Sequence, residues 1–230
     1  MFLVIVVLNL IALPVCAHED VPPVEESRSS LRRISWFILG SVLLFPEDNG
    51  LNSDPMPVLP SPGVGVSFPV TRIFSIEITL DAYLTHYGFN SALNRAVPNA
   101  VENRTARVIG FPFAIQAAWR FNFTPLLSLR AYAGPAADFR AVFIAAGLNE
   151  GTDDMDDIRL QTSSVKKYFW SKGRWFMPVV GTGLDFNITP RIQLGVDIRV
   201  WIPMYRIWTN EGLPPIEGWR FGPGIRFTVR

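Results

Sequence analysis

The 230-residue chain has one cysteine, Cys16, and two histidines, His18 and His86. A single cysteine excludes an internal disulfide framework, a CxxC redox pair and a zinc site built from thiolates. Charge is scarce too: 18% of residues are charged, and 21 basic against 20 acidic side chains leave a net charge of +1. The electrostatic footprint of a nucleic-acid binder is therefore missing, and no nucleic-acid partner is expected. No stretch beyond residue 17 reaches eighteen uninterrupted apolar residues, which argues against a protein that spans a membrane with helices. What the chain does have is apolar bulk, with 49% hydrophobic and 13% aromatic residues and a mean hydropathy of +0.23. That composition excludes a disordered chain. It is also greasier than a soluble secreted domain needs.

Residues 1 to 17 (MFLVIVVLNLIALPVCA) carry no charge, end in Val15-Cys16-Ala17 and precede the polar HEDVPPVEESRSS. This pattern predicts a signal peptide cleaved after Ala17, followed by a flexible periplasmic segment at residues 18 to 31. The basic n-region of such a leader is missing, which leaves open an uncleaved anchor or a start placed too far downstream. Leu13-Pro14-Val15-Cys16 is also similar to a lipoprotein box, although Val15 stands where that pattern takes a small residue. A cysteine-free remainder suits export through an oxidising compartment.

In Ser75 to Tyr87, the residues Ser75, Glu77, Thr79, Asp81, Tyr83 and Thr85 alternate with Ile76, Ile78, Leu80, Ala82 and Leu84. Period two means a strand with one polar and one apolar face. The alternation recurs over Leu127 to Phe139 and over Ile192 to Met204. Between strand patterns lies a degenerate repeat: Phe68-Pro69-Val70-Thr71, Phe121-Asn122-Phe123-Thr124-Pro125 and Phe186-Asn187-Ile188-Thr189-Pro190. Asn and Thr cap the backbone locally, so each copy reads as a short turn, and the two sequon-like triplets read as turns rather than glycan acceptors. The expected strands are 33 to 45, 63 to 70, 74 to 88, 106 to 122, 126 to 140, 166 to 187, 191 to 206 and 217 to 229. Long connections at 46 to 62, 89 to 105, 141 to 165 and 207 to 216 alternate with the short turns, so one end carries loops and the other tight turns. That asymmetry is the layout of an outer-membrane barrel.

The fold expected is all-β, an eight-stranded antiparallel up-and-down transmembrane β-barrel over residues 32 to 230. The apolar face supplies Ile, Leu, Val and Phe, which lipid tails accept. The polar face carries small residues, as at Gly181, Gly183, Gly222 and Gly224, which make room in a narrow lumen or open a lateral exit between strands. Aromatics near strand ends are expected as interfacial girdles: Phe68, Phe121 and Phe186 at the turn end, and Tyr83, Tyr87, Trp170, Trp175, Trp201, Tyr205, Trp208 and Trp219 at the loop end. Inside, the acids Glu77, Asp81, Asp138, Asp185 and Asp197 face Arg120, Arg130, Arg140, Arg199, Arg220 and Arg226. Buried charges stay ionised only when partnered, so a luminal ion-pair network is expected, and arginine suits it because its fork bridges two carboxylates.

On these residues the chain resembles small eight-stranded outer-membrane barrels of the OmpA transmembrane-domain, OmpX and OmpW type. The resemblance covers about residues 32 to 230 and rests on layout. It implies insertion by the barrel-assembly machinery, contact with outer-membrane lipids, and location in the outer membrane of a diderm bacterium. Such barrels usually end on an aromatic residue, whereas this chain ends Phe227-Thr228-Val229-Arg230.

Little points to chemistry. Lipid-modifying barrels of similar scaffold use a histidine with a serine near the loop end, but strand parity aims His86 outward, away from Thr85 and Tyr87, so no enzyme is expected. Glu150, Asp153, Asp154, Asp156 and Asp157 lack the spacing of a calcium loop and read as a solvated acidic loop at 149 to 157; no metal or other cofactor is expected. Lys166, Lys167, Lys172 and Arg174 are candidate contacts to lipid phosphates, or partners of those acids. Eight strands enclose too little space for a general porin. The expected role is structural or surface-interacting, through loops that meet host or extracellular ligands; the alternative is a narrow OmpW-like channel for small or hydrophobic solutes.

Overall fold

A computed structural model describes residues 34–46, 58–91, 94–99, 106–144, 155–213 and 218–230. The expected leader, the segment 18 to 31, and Glu150, Asp153 and Asp154 lie outside the described residues.

The strand segments are β1 (Ser35–Leu44), β2 (Val58–Pro69), β3 (Phe74–Asp81), β4 (Tyr83–Asn90), β5 (Arg95–Asn99), β6 (Ala106–Asn122), β7 (Leu127–Gly134), β8 (Ala136–Ile144), β9 (Val179–Asn187), β10 (Ile192–Trp201) and β11 (Arg220–Val229). Two pairs of these are single staves interrupted at one residue. Across Ala82 the register of β3 and β4 on β6 is unchanged, from Leu80↔Phe113 to Tyr83↔Gly110. Ala82 donates its N–H to the Pro62 carbonyl at 2.9 Å, and proline has no N–H to return. The break between β7 and β8 falls on Pro135, whose carbonyl accepts the Ile115 N–H at 3.1 Å. The staves pair in the order β1-β2-β3-β6-β7-β9-β10-β11, every pair antiparallel, and β11 returns to β1 from Trp36↔Val229 to Leu44↔Phe221. The result is a closed eight-stranded antiparallel barrel.

The three short connections are one turn used three times. In each, the threonine hydroxyl of Thr71, Thr124 or Thr189 accepts the N–H three residues on, from Phe74, Leu127 and Ile192, at 3.0 Å. The threonine N–H in turn donates to the carbonyl of that same residue. A side-chain oxygen thus caps a backbone donor that no strand can reach, which is why the sequence repeat is a turn. Asn187 ties two of these turns together by donating from Nδ2 to the Pro125 carbonyl at 2.8 Å.

Several boundaries differ from expectation. β2 starts at Val58 rather than 63, because Pro60 and Pro62 sit in it, in register with Val42 and Gly40 of β1. The strand expected at 166 to 187 begins only at Val179; ahead of it stand helix α1 (Met155–Trp170) and a 3-10 turn at Ser171–Gly173. Asp156 and Asp157 lie in the first turn of α1 and Lys167 in its last, the signs that the helix dipole favours. Ile158, Thr162, Val165 and Phe169 recur at 3.6-residue spacing and form its covered face. The strand expected to reach 206 stops at Trp201, and the short helix α2 (Tyr205–Trp208) follows Pro203.

Beyond the rim the wall is uneven. β4, β6 and β8 continue upward as a tongue, with β5 added to β4 and α1 packed on the tongue. Val165 and Phe169 of α1 meet Tyr87, Ala96, Ala106 and Val108, giving the tongue a small apolar core. A second apolar layer of Leu43, Phe45, Tyr83, Met177, Val179 and Trp201 closes the upper lumen. Outward-facing Trp36, Ile38, Val64, Leu80, Ile115, Leu184, Val196, Ile198 and Ile225 are each more than 40% exposed. In water such a belt is far larger than the apolar patch a soluble monomer carries.

Candidate functional site

Strand parity aims every charged residue of the wall's inner face at the lumen, where the charges form storeys. Nearest the turn end, Asp185 lies 3.4 Å from Arg120 and 3.5 Å from Arg130. At mid-height Glu77 accepts both terminal nitrogens of Arg226, at 2.7 and 2.9 Å, and one from Arg130 at 3.4 Å. Arg130 also reaches Asp197 at 3.4 Å, and Asp197 accepts the Tyr132 hydroxyl at 2.7 Å. Above them Arg199 forks onto Asp81 at 2.7 and 3.0 Å and donates to Ser41 Oγ at 2.9 Å. The uppermost storey gathers Tyr83, Arg140 and Arg220 on one oxygen of Asp138; Tyr83 and Arg140 lie 2.8 and 2.7 Å from it, and Arg220 is in direct contact.

These pairs cross the barrel between strands distant in sequence. Arg130, Arg199 and Arg226 are among the largest fully buried side chains. Aromatic faces back the guanidiniums: Arg226 lies 3.4 Å from the Phe37 ring centroid and Arg199 4.9 Å from that of Trp201. The arrangement is a cross-braced plug. Chemically it holds paired charge fixed across the lumen.

The glycines that raised a lateral exit are covered instead. A Cβ on Gly181 would strike the Tyr132 ring, one on Gly222 the Trp201 ring, one on Gly183 Asp197 and Arg130, and one on Gly224 Ser41. The close approach of these side chains is the reason for glycine there.

Five expected positions are corrected. Tyr83, Tyr87 and Trp201 are no more than 3% exposed, and Tyr205 is buried, so these four lie inside the barrel mouth and cap rather than in an outer girdle. Tyr83 shares strand parity with Glu77 and Asp81, as Trp201 does with Asp197 and Arg199; that parity is the signal that places them inward. Arg174 is also buried: it stacks 3.9 Å from the Tyr168 ring centroid and donates to Ser171 Oγ at 2.7 Å, away from any outer phosphate plane. The other girdle candidates Phe68, Phe121, Trp170, Trp175, Phe186 and Trp208 are exposed, Trp219 is half-buried, and Trp208 donates from Nε1 to the Lys172 carbonyl at 2.8 Å. Lys166, Lys167 and Lys172 are exposed. Asp156 pairs with Arg159 at 3.7 Å on the outside of α1, and among the described residues no cluster has a metal-binding set of side chains. His86 keeps the parity of the outward row but is buried, at 8% exposed, opposite Arg107, whose Nε is 3.5 Å from His86 Nε2. Sequence reasoning missed α1, whose helical spacing was masked by the acids before it, and the pairing of Tyr132, on the polar face of its strand, with Asp197.

No family model matches the chain, and no curated protein does. Among solved structures, Neisserial surface protein A (NspA) is similar over 85% of this chain and 96% of its own, at 10% identity and a TM-score of 0.51. Ail, the attachment invasion locus protein of Yersinia pestis, solved with the heparin analogue sucrose octasulfate, covers 86% of this chain and 97% of its own, at 8% identity and a TM-score of 0.46. The fold is thus that of the small outer-membrane barrels.

Proposed function

We propose that the protein is an integral outer-membrane barrel, exported by its N-terminal leader, whose work is done by the surface its external connections build above the rim. The observation that carries this reading is the division of side chains. The staves turn apolar residues outward, exposed or half-buried, while the luminal carboxylates and arginines pair inside. A hydrocarbon surrounding suits that arrangement, since the return of β11 to β1 pairs the backbone of the wall and the luminal charges are held away from the belt.

The tongue and α1 support a surface role, because they hold an ordered protrusion where a pore would need an open mouth. Outer-membrane lipids cover the belt, the assembly machinery inserts it, and extracellular or host ligands meet the protrusion. Exposed Lys166, Lys167 and Lys172 lie close in sequence to exposed Trp170 and Trp175, a composition suited to lipid phosphates. The narrow-channel reading has the cross-braced lumen against it: three buried arginines cross the path a solute would take.

The experiment is fractionation followed by unheated and heated gel migration, with planar-bilayer recording of the purified protein. The expected result is a heat-modifiable band in the outer-membrane fraction and silent insertion. Recovery from the soluble periplasm overturns the membrane reading. Steady conductance altered by Arg130→Ala or Asp197→Ala restores the channel.

A further inference from the structure

The apolar rows on the outside of the barrel are not equally tall. On the stave made of β7 and β8, every second residue from Leu127 to Phe143 is apolar and either exposed or half-buried. Its register against β6 runs unchanged from Asn122↔Ser128 to Ala106↔Ile144, so the row continues past Pro135 without a shift. Four staves away, on the far side of the barrel, the row of β1 with Ile34 before it reaches Leu44; the row of β10 runs from Ile192 to Ile202. A strand inclined by about 40° gains about 2.5 Å of barrel height per residue. The ten residues of rise from Ile34 to Leu44, or from Ile192 to Ile202, make about 25 Å, the belt height usual for such barrels. The sixteen from Leu127 to Phe143 make about 40 Å.

The three alike turns level the lower edge, so the surplus stands above. It is the outer face of the tongue, where Phe139, Phe143 and Phe111 are 46, 51 and 40% exposed. The helix α1 covers the opposite face, against Tyr87, Ala106 and Val108. Polar side chains return to the outer face only at its top. Arg107 stands across the ladder from Phe143 and lies 3.5 Å from His86. Lys166 and Lys167 follow Val165, which packs at that same height on Ala106 and Val108, and the Trp170 ring centroid is 6.4 Å from that of Phe139. Cations and a tryptophan beside the end of an apolar row mark a headgroup boundary.

We infer that the outer face of the tongue is a lipid-docking surface, covered up to Phe143 by acyl chains of the outer leaflet around the barrel. It rests on the membrane reading proposed above and extends it from the wall to the protrusion. Two observations favour acyl chains over a second copy or a soluble partner. The face is continuous with the belt, with no polar side chain between Leu127 and Phe143 in the row that joins them. Its upper limit carries Arg107, Lys166 and Lys167, complementary to lipid phosphates. A bilayer meets a belt of unequal height by letting the barrel tilt towards its tall side or by thickening there, each at modest cost. Extracellular ligands then meet the α1 side of the protrusion rather than this face.

The test uses the full chain carrying Cys16→Ser, folded into dioleoylphosphatidylcholine vesicles. One cysteine at a time is introduced by Phe139→Cys, Phe143→Cys, Val196→Cys or Ser163→Cys and labelled with a nitroxide. Val196 belongs to the mid-belt and Ser163 is exposed on α1, so these two sites report lipid and water. Heated and unheated gels check that each variant is folded. Collision of the label with oxygen, which concentrates in hydrocarbon, is compared with collision with a water-soluble nickel chelate. The expected result is oxygen over nickel by several-fold at Phe139 and Phe143, as at Val196, and the reverse at Ser163. Nickel-accessible labels at Phe139 and Phe143 beside a lipid-exposed label at Val196 overturn the inference and leave the membrane reading standing. Labels shielded from both reagents at Phe139 and Phe143 overturn it in favour of a second copy or another part of the chain as the cover. A nickel-accessible label at Val196 overturns both readings.

Discussion

Replacing Asp81 with asparagine keeps the shape of the side chain and removes its charge from Arg199, which is 1% exposed. The wild-type pair is a two-pronged fork at 2.7 and 3.0 Å. After the substitution Arg199 retains a bond to Ser41 and the face of Trp201, neither of which carries a compensating charge. Removing one partner of a buried pair costs about 3–5 kcal/mol. At about 1.4 kcal/mol per tenfold, that is a loss of about two to three and a half powers of ten in the folding equilibrium. The assay is urea unfolding in lipid vesicles, followed by tryptophan fluorescence and by gel migration. Arg199→Gln on its own is expected to cost a similar amount, and the double variant less than the sum, since it leaves no orphan charge. A loss of only about 0–1 kcal/mol, the worth of a solvated surface pair, refutes the argument that the lumen is a dry, braced core. So does a loss that disappears at high salt.

Val196→Arg places a cation on the exposed mid-belt row of β10 and is expected to cost about 2–4 kcal/mol of folding into vesicles, measured by the folded-band fraction; a neutral result sinks the lipid-facing assignment of that row. Thr124→Ala removes the hydroxyl that caps Leu127, with an expected loss of about 0.5–1.5 kcal/mol in the same urea titration, and Thr189→Ala is expected to match it because the two turns share one geometry. Phe169→Ala empties a packed position of the tongue core at a local cost of about 3–5 kcal/mol. Limited proteolysis is expected to cut within 155–170 while the barrel band survives; loss of the barrel band would show that cap and wall unfold together.

Period-two alternation made the staves legible, because parity is a local property that a strand cannot evade without turning its greasy row away from lipid. Threonine at fixed offsets made the turns legible for the same local reason. Tyr83, Tyr87, Trp201 and Tyr205 were misplaced because an aromatic ring with a polar tip suits both a membrane interface and a packed barrel mouth. Near strand ends composition alone points to the interface, and only parity points inward. The helix at 155–170 was hidden differently: four covered residues spaced by 3.6 are diluted by acids and lysines, and its apolar face exists only where the tongue supplies a partner.

The amino-acid order by itself determined which residues share a face, where the chain reverses, and that five acids and six arginines share one side of the wall. Which acid meets which arginine was decided by closure. Glu77 and Arg226 are 149 residues apart and Asp81 and Arg199 118 apart, and no local pattern relates them. They meet because β11 returns to β1, fixing the height and azimuth of every inward side chain at once.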